Sequence, residues 1–394
     1  MKRSSERILT THTGSLPRPE DLLAMLEAKE QGGLLDRPTF EARARTAVAE
    51  VVRAQLEAGV DVINDGEQGK QDYSTYIKDR LTGFEGEPLQ LEPGRDLRDF
   101  PEFSARWQGL VASFVTRPTC VGPIAWKDFS AVQRDIENLK AATQGAAVEE
   151  VFMTAVSPGQ AARFLRNRYY KAEEEYLHAL ASVLKDEYRA IVAAGFILQV
   201  DCPDLASGWN NQFRELTLPE FRRVVALHIE VLDEATKGIP PDRMRLHLCW
   251  GNYEGPHHRD IPLREILEIV LRARPMAVSF EGANPRHEHE WKVFKEVKLP
   301  DGKVIVPGVL DSTTNFIEHP ELVAERIVRY ATVVGRENVI AGTDCGFATF
   351  AGRMSVDPRI AWAKLNAMVE GARLATKELW GGKSEMHATE EGRR

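Results

Sequence analysis

Eight short, nearly all-apolar runs, most of them closing on one or two polar residues, leave this chain few folds to choose from. They are LTTHTGS (9–15), VDVINDGE (60–67), EVFMTAVS (150–157), FILQVDC (196–202), MRLHLCW (244–250), MAVSFEG (276–282), VIVPGVLD (304–311) and VIAGTDCGF (339–347). A strand that is apolar on both sides must be covered on both faces, as in the parallel sheet of an α/β protein. Between the runs, apolar residues recur at helical spacing. FEARARTAVAEVVRAQLEAG (40–59) and KAEEEYLHALASVLKDEYRAIVAAG (171–195) both stop at glycine, and PELVAERIVRYATVVG (320–335) also has a proline in its first turn. Eight strand–helix units predict an α/β fold of the (β/α)8 TIM-barrel type.

The chain has 394 residues, and the surplus over a plain barrel falls at 68–149. That stretch is rich in Pro, Gly and acids, then carries one more apolar run, TCVGPIAW (119–126). A long insertion with an extra strand is therefore expected between strands two and three. The expected organisation is one catalytic barrel over 1–380 and a frayed tail over 381–394.

Net charge is -8, which argues against a general nucleic-acid binder, because neutralising phosphates needs a basic face. No window holds the run of apolar residues needed to span a bilayer, and no signal-like apolar stretch follows the charged N-terminus. The four cysteines are too few and too scattered for a disulfide framework. A reduced, cytoplasmic enzyme acting on small molecules is expected. Assembly is left open by the sequence, a homo-oligomer included.

Barrel enzymes collect their chemistry where strands end and βα loops begin. The polar residues of the eight runs fall there: His12 and Ser15, Asp65 and Glu67, Asp201 and Cys202, His247 and Cys249, Glu281, Asp311, and Asp344 with Cys345. So many at one end of successive strands predict a single polar rim. Residues two apart on a strand point the same way, so His247 and Cys249 aim at one point. With Glu281 one strand further and Cys345 two strands beyond that, they make an N/S/O donor set suited to Zn²⁺. Alone, each of these is more often a packed or hydrogen-bonded core residue. Cys202 is a rival ligand for which packing is favoured, and Cys120 is read as structural.

From HTGSLPRP to GTDCGF the sequence resembles the cobalamin-independent methionine synthase family, specifically its catalytic barrel without the duplicate N-terminal barrel of long members. The family's zinc pattern of His-x-Cys, Glu and Cys falls on His247, Cys249, Glu281 and Cys345. The resemblance also implies binding of an amino-acid thiol by Gly14 and Ser15 of TGS, Glu67 of DGE and Asp201 of QVDCP. This suits homocysteine, since an ammonium wants carboxylates and a carboxylate wants N–H and hydroxyl donors. The implied reaction is methyl transfer to the homocysteine thiol, forming methionine. Glu281 and Asp311 are the implied catalytic residues, and Glu281, the ligand with the hardest donor atom, is the one expected to loosen when substrate sulfur arrives. Asp65 could equally be a turn residue and is left out of the substrate set.

Two departures lie on the methyl-donor side. TAVSPGQAARFLRNRYY lacks the Trp that stacks on folate in the long enzymes, leaving Phe164, Tyr169, Tyr170 or Trp126 as substitutes. GVLDSTTNF lacks their strand-seven His, with His319 nearby. A methylated folate is the implied donor, and an epoxyalkane:coenzyme M transferase-like alkylation is the alternative. A zinc-free decarboxylase of the uroporphyrinogen type and a binding protein with structural zinc stay open as other classes. Of the remaining histidines, His287 and His289 are expected to line the pocket, and His257 and His258 to lie on the surface, although a second metal site is conceivable there.

Overall fold

Each apolar run forms a strand, though a shorter one than its apolar stretch. The computed structural model describes residues 1–33, 36–89, 92–110, 114–353 and 355–381. Its strands are β1 (Leu9–Thr10), β2 (Val62–Ile63), β3 (Glu150–Val156), β4 (Ile197–Asp201), β5 (Met244–His247), β6 (Ala277–Phe280), β7 (Val304–Leu310) and β8 (Ile340–Thr343). All neighbours pair in parallel, in the order β1-β8-β7-β6-β5-β4-β3-β2. A single parallel bridge between Thr11 and Val62 joins the two ends and closes the barrel.

Helices cover the outside. Arg37–Glu57 turns Val48, Val51 and Val52 inward, and Glu173–Ala193 buries Leu177, Leu180, Leu184 and Ile191. They stop where Gly59 (φ 76°) and Gly195 (φ 94°) take the left-handed conformation that side chains disfavour. Pro320–Val334 ends the same way and packs on Pro358–Gly381. After β5 and β6 the expected long helices are absent: only short turns at Leu263–Glu265, Leu267–Val270 and Glu288–Lys295 stand there.

The barrel interior is filled in layers, as period-two alternation requires. Small apolar clusters close the bottom, Leu9 with Ala277, Val304, Val306 and Ile340, and Val62 with Phe152 and Ile197. Above them lies Arg245, which donates to Gln199 Oε1 (2.6 Å), Thr11 Oγ1 (2.9 Å) and the His12 carbonyl (2.8 Å), and stacks 3.6 Å over Phe152. The rim residues sit above this plug.

Between β2 and β3 the chain runs through short helices at Thr75–Asp79, Arg95–Arg98 and Pro101–Leu110 before Ser130–Ala142, which packs against both Arg37–Glu57 and Glu173–Ala193. The Ser130–Ala142 helix thus belongs to the outer ring rather than to an excursion. The extra strand expected at 119–126 does not form. Cys120 makes a lone bridge to Asn167 and Trp126 one to Leu81. No described helix is long and apolar enough to cross a membrane. The expected frayed tail lies, beyond Gly381, outside the described residues.

Candidate metal centre and substrate cavity

Strand register assembles the rim. Asp201 pairs with His247, and His247 with Ser279, so residues from three successive strands stand side by side. Arg245, His247 and Cys249 share one phase of their strand and its extension, which puts the arginine in the plug and the other two above it. The loop after β8 returns Cys345 to within 3.9 Å of His247, Sγ to Nε2. The ligand atoms of His247, Cys249 and Cys345 all lie within 4.8 Å of one another, and all three residues are buried. Bonds of ~2.1 Å to nitrogen and ~2.3 Å to sulfur at a tetrahedral centre hold the two atoms about 3.6 Å apart. The histidine–cysteine spacing is thus already close to what zinc requires.

The charges fit too. The hydrogen bond from Cys345 stabilises a thiolate at Cys249 and, with help from His247, outweighs burial, holding that thiol well below its usual pKa. Cys345 is pushed up, by burial and then by Cys249. A cation would relieve this crowding of potential anions. Glu281 is the adjacent carboxylate. Its Oε1 accepts the Trp250 N–H (2.7 Å) and its Oε2 the Asn284 amide (2.9 Å), so it stands beside the three-residue cluster rather than within it. Burial, then the neighbouring Cys249, raises its carboxyl to about 7.

The cluster opens onto a cavity of about 750 Å³ whose lining also includes Ser15, Glu67 and Asp201. Gly14 is required by close approach: a Cβ there would sit 2.8 Å from Glu67 Oε1 and 2.8 Å from Thr154 Cγ2, on a backbone at φ 152°. Gly346 is required by Ser15, whose Oγ would be 2.0 Å from an added Cβ. Glu67 itself holds a left-handed backbone (φ 56°), fastened by the bond from its N–H to Asp65 Oδ1 (3.0 Å), so Asp65 serves the turn. Glu67 Oε1 accepts from Thr154 Oγ1 (2.9 Å), while Oε2 is buried without a partner. Asp201 accepts from Gln199 (2.7 Å). Neither carboxylate has an ion-pair partner among the described residues: Lys70 bonds the Thr154 carbonyl, and Arg18 the carbonyls of Ala348 and Glu67. Burial raises the pKa of both, and Glu67 raises Asp201 further.

Other sequence-derived candidates land elsewhere. Asp311 does not line this cavity. Its carboxylate accepts from Thr313 N (2.7 Å) and Thr313 Oγ1 (2.8 Å), holding its own turn. His257 is not on the surface and His287 does not line the cavity. Both are buried and meet at Asp260 Oδ2, at 2.6 Å and 3.2 Å. His287 also bonds Glu290 (2.9 Å) and stacks on Trp250 at 3.9 Å, so the network braces the residue whose N–H holds Glu281. Burial opposes charge on both imidazoles, yet the bonds to Asp260 and Glu290 prevail, lifting His257 to about 9 and His287 to about 10. Cys202 and Cys120 are buried, with their sulfurs against the Val200 and Gly122 carbonyls. Tyr169 is half exposed, Tyr170 stacks on Tyr176, Trp126 bonds Asp186, and exposed His319 accepts from Glu321 N. Phe164 alone of the proposed stacking residues lines the cavity. Sequence reading missed Arg245, Trp107, Arg117 and Arg163. Only Arg245 carried a signal, in phase two residues before His247.

The sequence model of the cobalamin-independent synthase catalytic domain matches residues 8–89 and 109–374. The methionine synthase of Thermococcus kodakarensis is 25% identical over 377 residues, covering 94% of each chain. That of Saccharolobus solfataricus is 24% identical over 374 residues, covering 94% of this chain and 95% of its own. Among solved structures, a B12-independent methionine synthase from Shewanella sp. W3-18-1 in complex with selenomethionine superposes with a TM-score of 0.72 at 21% identity, covering 95% of this chain and 99% of the other. A putative vitamin-B12 independent methionine synthase from Listeria monocytogenes gives 0.63 at 18%, covering 93% and 98%. These last two likenesses concern the fold.

Proposed function

The chain belongs to the cobalamin-independent methionine synthase family, and from that premise we propose that it is a zinc-dependent methyltransferase acting on the thiol of homocysteine. The observation that carries the reading is the pairing of two sites in one cavity. Glu67 and Asp201 are buried carboxylates that form no salt bridge among the described residues, and the His247–Cys249–Cys345 cluster lines the same cavity. A small molecule bearing both an ammonium and a thiol satisfies both, and the relatives are methionine synthases.

The residues divide the work accordingly. His247, Cys249 and Cys345 would hold Zn²⁺, with Glu281 adjacent. Zinc bound there supplies stabilisation of a thiolate at neutral pH, where a free thiol of pKa near ~8.5 is mostly protonated. Glu67 and Asp201 orient the amino acid through its ammonium, and Ser15 with the backbone beside Gly14 offers donors to its carboxylate. Glu281, the carboxylate beside the cluster, is the group we assign to receive the thiol proton. The sulfur then forms the new S–CH₃ bond while the donor leaves with the electron pair of its broken bond to the methyl group. A methylated folate is the donor we assign.

Zinc-edge X-ray absorption of the purified protein, with and without homocysteine, tests the reading. A new sulfur at ~2.3 Å on adding homocysteine is the expected result. An unchanged metal environment, or full activity after chelation, overturns it.

A further inference from the structure

Behind the cavity floor stands a cation that no part of the chemistry above uses. Lys70 is 2% exposed, yet it forms no salt bridge among the described residues. Its Nζ donates to the Thr154 carbonyl (2.8 Å) and lies 4.5 Å over the Tyr76 ring. Its backbone N–H bonds the Glu67 carbonyl (3.1 Å), three residues back in the same turn. Other buried cations are paired: Lys364 with Glu318 at 2.8 Å, and Arg80 with Asp135 and Glu187. Taking an ammonium out of water without a carboxylate in contact is costly.

Thr154 joins this cation to the floor. Its carbonyl takes the Lys70 ammonium, and its hydroxyl donates to Glu67 Oε1 (2.9 Å). On the neighbouring strand Thr154 pairs with Gln199, whose amide donates to Asp201 Oδ1 (2.7 Å). Charged groups face the turn from several elements. Glu67 meets Lys70 and Asp65 from its own turn and Arg18 from the loop after β1. Lys70 also attracts Asp65, Asp201 on β4 and Glu187 of the Glu173–Ala193 helix, with Asp135 of the Ser130–Ala142 helix behind them. Arg18 directs its guanidinium at the Ala348 and Glu67 carbonyls. Burial raises the Glu67 carboxyl, and Lys70 is the strongest charge opposing that rise, ahead of Arg18. We propose that Lys70 is a positioning residue for the substrate ammonium: anchored on the Thr154 carbonyl, it keeps Glu67 a carboxylate in the place where that ammonium docks. This rests on the reading above in assigning the floor to an amino acid, and not on the metal. A neutral Glu67 accepts an ammonium poorly. Affinity for an amino acid therefore falls as pH drops through the folded Glu67 value, and without Lys70 that fall begins at higher pH.

L-Methionine is the probe, because it carries the ammonium and has no thiol to titrate. Zinc-loaded full-length protein is titrated with it by calorimetry from about pH 5.5 to about pH 8.5. K70M should move the midpoint of the affinity–pH curve up by roughly 1–2 pH units. K70Q retains a donor for the Thr154 carbonyl and removes only the charge, so it should move the midpoint as K70M does. K70R keeps the charge and should hold the wild-type midpoint. 4-(Methylthio)butyrate lacks the ammonium and should not weaken on acidification. An unmoved midpoint in K70M and K70Q overturns the proposal. So does an affinity loss that is equal at every pH, which packing alone would produce, or a K70R curve that matches K70M. If the midpoint moves as stated but homocysteine brings no sulfur to zinc, the zinc reading falls and the role of Lys70 stands.

Discussion

Changing Glu67 to Gln isolates the cavity floor. The replacement keeps the shape of the side chain, the left-handed backbone cost and an oxygen to accept from Thr154 Oγ1, and removes only the charge. A charge-assisted hydrogen bond to a substrate ammonium contributes about 1.5–3 kcal/mol, so homocysteine should bind roughly 10–150-fold more weakly. The ligand-free protein should instead gain about 1 kcal/mol at neutral pH, because burial disfavours the charged form of Glu67 and glutamine carries no charge. The pH dependence has a definite sign. Burial raises the Glu67 pKa in the folded state. Its contribution to stability is therefore complete below the unfolded value near ~4.3 and is lost as pH rises through the folded value. Glutamine does not titrate, so the advantage of E67Q should be absent below the unfolded value near ~4.3 and widen as pH rises above it. Urea unfolding across that range, with calorimetric titration of homocysteine and of 4-mercaptobutyrate, measures both effects. The amine-free thiol should not discriminate between the two proteins. Homocysteine binding within twofold of wild type, or a stability advantage that shrinks with rising pH, refutes the reasoning.

Cys249→Ser should reduce bound zinc from about one per chain to almost none by elemental analysis, with loss of methyl transfer, since it removes a thiolate from a three-residue cluster. Gly346→Ala puts a Cβ 2.0 Å from Ser15 Oγ. Displacing that hydroxyl should cost about 1–3 kcal/mol, read as a raised KM for homocysteine or a lowered midpoint in urea. The imidazolium network should make stability fall in alkali. His257 and His287, raised to about 9 and about 10, contribute fully below the ordinary histidine value of 6.5 and lose that contribution as pH rises through their folded values. H287Q should flatten this part of the stability–pH curve, and an unchanged curve would refute the assignment.

Alternation along strands decided much of this protein before any tertiary contact. A period of two forces Arg245, His247 and Cys249 onto one side of their run, and apolar residues on both faces force a covered parallel sheet. Barrel class and a polar rim holding a His/Cys donor set follow from those local rules. Other features needed chain segments far apart in sequence to meet. Nothing in the spacing of His257, Asp260 and His287 says that two loops will bury them together with His287 stacked on Trp250, or that Asp311 will bond its own turn rather than face the cavity. Arg117 and Trp107 lie in a segment without strand periodicity, and it is the folding of that segment over the rim that makes them a roof above Cys249. Strands carry their facing in their own period. Loops take theirs from whatever they pack against, so the metal cluster's neighbourhood was decided only when the barrel closed.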